Sequence, residues 1–86
     1  MGLDAVELIM LIEEEFGVDI SHDEASQVRT VGELAGLVLA KLEVDPSSTL
    51  AATHLDSLYR LVARQLGVPL SAITPDAHLA RDLGAS

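Results

Sequence analysis

The sequence predicts an all-α fold, a four-helix bundle of three main helices and one short one, closed by a long loop with apolar anchors. Three observations carry this expectation. Apolar residues recur at three- and four-residue spacing in three separate segments, as helices with one buried stripe require. Gly17, Pro46 and Gly67 punctuate the chain beyond each periodic segment, where helices commonly stop. No segment alternates apolar and polar residues as a half-buried strand would.

Leu3, Val6, Ile9, Met10, Ile12 and Phe16 place the first helix over residues 3–16, with Gly17 as its C-terminal cap. Asp4 and Glu7 sit near its positive end, but Glu13, Glu14 and Glu15 crowd the negative end. Each such charge costs a few tenths to about 1 kcal/mol at low salt, and a cost borne there hints at a use. In "VDISHDEASQV", Ser21 and Glu24 have capping-box spacing and predict a brief helix around 23–28. Thr30 then caps "VGELAGLVLAKL", whose Val31, Leu34, Leu37, Val38 and Leu42 repeat the stripe over 31–42. "EVDPSSTLAAT", residues 43–53, reads as a linker because of Pro46 and its two serines. Leu55, Leu58, Leu61, Val62 and Leu66 define a further helix over roughly 53–66, closed by Gly67. Beyond it, Pro69 and Pro75 break regular structure while Leu70, Ile73, Leu79 and Leu83 anchor the loop to a core.

Eighty-six residues make one small domain, near the size where a single core is only marginally sufficient. With one Tyr, one Phe and no Trp, that core must be aliphatic. The absence of cysteine excludes disulfides, a thiolate nucleophile and Cys-based zinc sites. "LIMLI", residues 8–12, is far too short to span a bilayer, and the first residues lack the order of a signal peptide; a soluble, cytoplasmic protein is expected. The net charge of −9 opposes binding to nucleic-acid phosphates and favours basic protein surfaces. Nine carboxylates fall in residues 1–33 against Arg29 alone, so the first third carries the electrostatic signal. His22, Asp23 and Glu24 are adjacent rather than spaced along one helical face, and His54 and His78 lie apart, so no metal site is expected. There is no Gly-x-Ser-x-Gly elbow, and no enzyme is predicted.

Two stretches resemble the acyl carrier protein family, in the reverse of the family's order. "LDAVELIMLIEEEFGVDISHDEASQVRTVGELAGLV" is similar to the second half of such a carrier, from its recognition helix to its last helix. "LYRLVARQLGVPLSAITPDAHLARDLGAS" is similar to the first half, ending on the Asp-Leu-Gly turn that precedes the prosthetic-group site. The resemblance therefore implies a circularly permuted carrier fold: residues 1–42 hold the recognition helix to the last helix, 43–53 join the original termini, and 54–86 hold the first helix and long loop of the same domain. An excised register of a tandem array and a swapped dimer are the other accounts of this order. A flexible linker of roughly ten residues has a mean span of about 17 Å and an extended reach over 30 Å, so closure within one chain, a monomer, is favoured.

The resemblance implies 4'-phosphopantetheine, carried on a serine at the start of the recognition helix, and an acyl thioester used in fatty acid or polyketide synthesis. The position matching that serine is Gly2, and the matching preceding position is Ser86, so the arm is expected to be absent unless Ser86 takes it. "LDSLYRL" offers an Asp-Ser-Leu at 56–58, but only nine residues separate Ser57 from Gly67, against thirteen between Leu3 and Gly17. Asp56 and Ser57 are therefore read as the first turn of an ordinary helix. Carried over position by position, the resemblance assigns partner recognition to Asp4, Glu7, Met10, Glu13 and Glu14, with basic patches of synthase enzymes and of a phosphopantetheinyl transferase as partners. The alternative for these residues is a solvated acidic face. Val6, Ile9, Leu34, Val38 and Ile73 match an acyl cavity, with plain core packing as the alternative.

Overall fold

A computed structural model describes residues 3–79 and 81. Four α-helices, α1 (Leu3–Phe16), α2 (His22–Gln27), α3 (Val31–Leu42) and α4 (Thr49–Leu66), are followed by a single 3₁₀ turn, Leu70–Ala72. Among the described residues there is no strand, only an isolated bridge between Thr30 and His78. The architecture is an all-α helical bundle, as the periodicity predicts.

The local signals act where the sequence puts them. Gly17 takes φ +66° and Gly67 φ +68°, the left-handed conformation that lets a helix end without a Cβ clash. Ser21 and Glu24 form a reciprocal capping box at α2, and Thr30 and Glu33 form a second at α3. In each, the hydroxyl accepts from an N–H that has no partner within the helix, and the carboxylate returns the favour at the cap.

One boundary differs from the expectation. α4 begins at Thr49 rather than near residue 53, so the end of the expected linker is helical. The Ser48 hydroxyl accepts from the Ala51 N–H at 3.1 Å, and Ala51 is fully buried, extending the apolar stripe of α4 one turn upstream. What joins α3 to α4 is a tight turn: the Asp45 carboxylate accepts from the backbone and hydroxyl of Ser47, each at 2.9 Å, and its carbonyl accepts from Ser48. The serines and the proline thus start a helix instead of loosening the chain. Asp56 and Ser57 consequently fall in the middle of α4, not in its first turn.

The core is aliphatic. Leu8 and Ile12 of α1, Leu34 and Val38 of α3, and Leu58 and Val62 of α4 meet in one cluster, joined by Ile20, Ala25, Val31, Ile73 and Ala77. α4 packs against α1, α3 and the 3₁₀ turn. The loop after α4 is held by backbone bonds to the N-terminus of α3. Val31 N–H donates to the Ala77 carbonyl and Gly32 N–H to the Pro75 carbonyl, both at 3.0 Å, while Leu79 N–H donates to the Arg29 carbonyl at 2.9 Å. Two of the donors that a helix start leaves unpaired are satisfied by this loop. Gly32 permits the approach: a Cβ there would lie 3.0 Å from the Pro75 oxygen.

Candidate functional site: helix α1 and its two flanks

With Leu8 and Ile12 turned into the core, a rotation of about 100° per residue divides the rest of α1 between two flanks. One flank faces α2. There Val6, Ile9 and Met10, with Ile20, Ser21, His22 and Ala25, line an open groove of about 190 Å³. The other faces α4. Glu7, Met10, Leu11, Glu14 and Gln65 line a groove of about 240 Å³, and Leu11, Glu14 and Glu15 with Leu61, Arg64 and Gln65 line a larger one of about 590 Å³. These two share Leu11, Glu14 and Gln65 and so run together as one trough.

The recognition candidates do not behave alike. Met10 is 54% exposed, and Val6 and Leu11 of the same helix are exposed as well. Glu7 and Glu14 are exposed; Glu7 accepts a long bond, 3.3 Å, from the Gln65 amide. Glu13 is half-buried, and its carboxylate accepts from the Ile20 N–H at 2.9 Å. It thereby ties the chain reversal after Gly17 to the last turns of α1, which is a structural use for a carboxylate at the unfavourable end of the helix dipole. Asp4 lies in α1, but its side chain is outside the described residues, as are Gly2 and Ser86.

The five cavity candidates separate into two groups. Val6, 40% exposed, and half-buried Ile9 line the α2-side groove. Leu34, Val38 and Ile73 are at most 6% exposed and belong to the packed core.

Electrostatics elsewhere secure the scaffold. Lys41 of α3 meets Glu24 of α2 at 2.8 Å. That bond, with the Ser21 N–H, holds the Glu24 carboxyl at about 2, well below its ordinary 4.5. The Glu33 carboxyl is lowered by the Thr30 and Arg29 N–H groups, and that of Asp45 by Ser47. Asp56 pairs with Arg60 one turn on, at 2.9 Å, on an exposed face. His54 sets its ring edge-on to Phe16, with centroids 5.8 Å apart. Among the described residues no group of three His, Asp or Glu side chains is arranged to hold a metal ion, and no helix is long and apolar enough to cross a membrane.

Leu11, Arg64 and Gln65 line the trough without being marked by the sequence pattern. Leu11 carried a signal nonetheless: it lies four residues after Glu7 and three before Glu14, on one helical face with both. Arg64 and Gln65 join them only because α4 packs beside α1.

Comparison with known proteins bears on this helix. The family of the phosphopantetheine attachment site matches residues 3–38, which span α1, α2 and most of α3. An acyl carrier protein of Picosynechococcus sp. is 49% identical over 40 residues, covering 46% of this chain and 49% of that protein. The chain thus spans about half the length of this curated relative. No solved structure matches it. The matched segment contains α1, an acidic helix with an exposed methionine held by an aliphatic bundle, and over that segment the chain is similar to proteins of the acyl carrier family.

Proposed function

We propose that the chain is a non-catalytic, acyl-carrier-type docking module whose two halves stand in permuted order within one cytoplasmic domain. The observation that carries the docking role is α1 itself, which exposes Met10 between the exposed carboxylates of Glu7 and Glu14. Basic patches of synthase enzymes, and of a phosphopantetheinyl transferase, are the complementary surfaces. Long-range charge attraction speeds and orients such encounters more than it adds affinity, which suits a partner that must leave again.

The permuted order is supported by where the second half goes. α4 packs on α1 and α3, and the loop that follows bonds to the start of α3 through the Pro75 and Ala77 carbonyls. In this reading residues 54–86 supply the first helix and long loop of the domain whose later helices are residues 1–42, and the chain is a monomer.

In the family, 4'-phosphopantetheine is a phosphodiester on a serine hydroxyl and supplies the thiol that carries the acyl group. Gly2 stands in that position and has no side-chain oxygen to bear the phosphodiester, so position 2 does not fit the group. A module that docks without an arm is the reading this favours. The second reading, an arm on Ser86, rests on a hydroxyl that neighbours the same position in the family register.

Intact-protein mass after incubation with coenzyme A, magnesium and a broad-specificity phosphopantetheinyl transferase separates the two. An unchanged mass is expected. A phosphopantetheine adduct localised to Ser86 by fragmentation would overturn the armless reading and make the chain a working carrier.

A further inference from the structure

We propose that Met10 is an oxidation site, at which hydrogen peroxide converts the thioether to a sulfoxide and so switches off docking on α1. The inference rests on α1 being a docking helix and adds a modification that controls it.

Sulfur is scarce in this chain: there is no cysteine, and the methionines are Met1 and Met10. Met10 is 54% exposed and lies outside the buried core. It lines three open grooves at once. One is shared with Val6 and Ile9 on the α2 side, one with Leu11 and Gln65 on the α4 side, and one of about 400 Å³ with Gly17 and Val18 at the C-terminal end of α1. A small oxidant reaches the side chain from each of them, whereas a core methionine is shielded.

Carboxylates ring the site. Glu7 and Glu14 share the α4-side groove with Met10, and Glu13, Glu14 and Asp19 share the one at the helix end. Their field lowers the local concentration of anionic oxidants and leaves uncharged hydrogen peroxide unaffected. In the reaction a sulfur lone pair attacks one peroxide oxygen, the O–O bond breaks, and the other oxygen leaves as water with both protons. Sulfur is oxidised by two electrons and peroxide is reduced by two.

The product replaces a flexible apolar side chain with a polar, chiral one. Between the exposed carboxylates of Glu7 and Glu14, an apolar contact becomes an oxygen acceptor that docking must strip of water. Leu8 and Ile12, rather than Met10, hold α1 in the core, so the fold is untouched. Methionine sulfoxide reductases, one for each epimer, return the thioether while a dithiol is oxidised to a disulfide, which makes the change reversible.

The test treats the full chain with hydrogen peroxide, locates the added oxygen by fragmentation, and measures binding to a broad-specificity phosphopantetheinyl transferase before and after. Oxidation of Met10 is expected at a rate within about threefold of free methionine, with the thermal midpoint moved by less than about 3 °C. Affinity for the transferase should fall about tenfold and return on treatment with the two reductases. Met10→Leu, which keeps Met1, should lose none of its own affinity under peroxide. Raising the salt concentration should speed oxidation by the peroxymonosulfate anion about threefold and leave the peroxide rate unchanged. If the oxidised chain binds as tightly as the reduced one, or Met10 reacts more than about tenfold more slowly than free methionine, the inference is overturned and α1 is still a docking helix. Failure of the reduced chain to bind would sink both readings, and an equal salt response to the two oxidants would overturn the selectivity for peroxide.

Discussion

Gly32 and Gly36 occupy the same helix, one turn apart, and alanine should act on them with opposite signs. In a helix interior alanine is favoured over glycine by about 0.8–1 kcal/mol. At Gly36, which is exposed and has nothing within 4 Å of an added Cβ, most of that gain should appear as stability. At Gly32 the added Cβ would stand 3.0 Å from the Pro75 carbonyl oxygen and 3.4 Å from its Cβ. The oxygen belongs to backbone and cannot swing aside, and it accepts the Gly32 N–H at 3.0 Å. Moving it stretches that bond and strains the neighbouring Val31–Ala77 and Leu79–Arg29 bonds. An intramolecular hydrogen bond is worth about 1 kcal/mol, and a donor left unpaired out of reach of water costs about 1–3 kcal/mol. Set against the propensity gain, Gly32→Ala should be destabilising by about 1–2 kcal/mol. For a chain of this size each kcal/mol moves the midpoint by about 4–8 °C, so thermal and urea unfolding followed by circular dichroism resolves the two signs. Equal stabilisation by both substitutions would refute the claim that the loop is pinned to the start of α3.

Three further outcomes follow from named contacts. Glu13→Ala removes the acceptor of the Ile20 N–H and should lower stability by about 1 kcal/mol, while Glu14→Ala, which relieves a charge at the negative end of the dipole, should be neutral or stabilising by a few tenths; urea midpoints of the pair decide. Because the Glu24 carboxyl is depressed from 4.5 to about 2 in the folded chain, the stability it contributes is present above the ordinary value and is lost as pH falls toward about 2. The denaturation midpoint should fall across that window, less steeply in Lys41→Met, and identical slopes would remove Lys41 as the cause. Glu43 ends α3 at φ +55°, a conformation that costs a side-chain-bearing residue about 1 kcal/mol, so Glu43→Gly should raise the thermal midpoint; a lower midpoint would show that the cap depends on more than backbone freedom.

What was readable in the sequence was local. The stripe of α1, the hydroxyl–carboxylate pairs at Ser21 and Thr30, and the glycines at 17 and 67 each act within a turn or two of themselves, so spacing alone announces them. Ser48 was hidden by its company: beside Pro46 and Ser47 it looked like flexible linker, and its capping role depends on Ala51 burying against a core that only the assembled bundle provides. The similarity to the family of the phosphopantetheine attachment site likewise lies in residues 3–38 as a pattern.

Tertiary structure decided the rest because it concerned pairs far apart in the chain. That Glu13 serves the backbone at Ile20 while Glu14 faces solvent follows from which way the chain reverses after Gly17. Likewise Leu11 lies in a trough with Leu61 and Arg64 because α4, some fifty residues away, packs beside α1. The sequence by itself determined the helices and the charge of α1, through short-range hydrogen bonding and periodicity. Only packing determined which of those charges are spent on the fold and which are left facing solvent, since a carboxylate is free or bound according to the donor that the folded chain brings within about 3 Å.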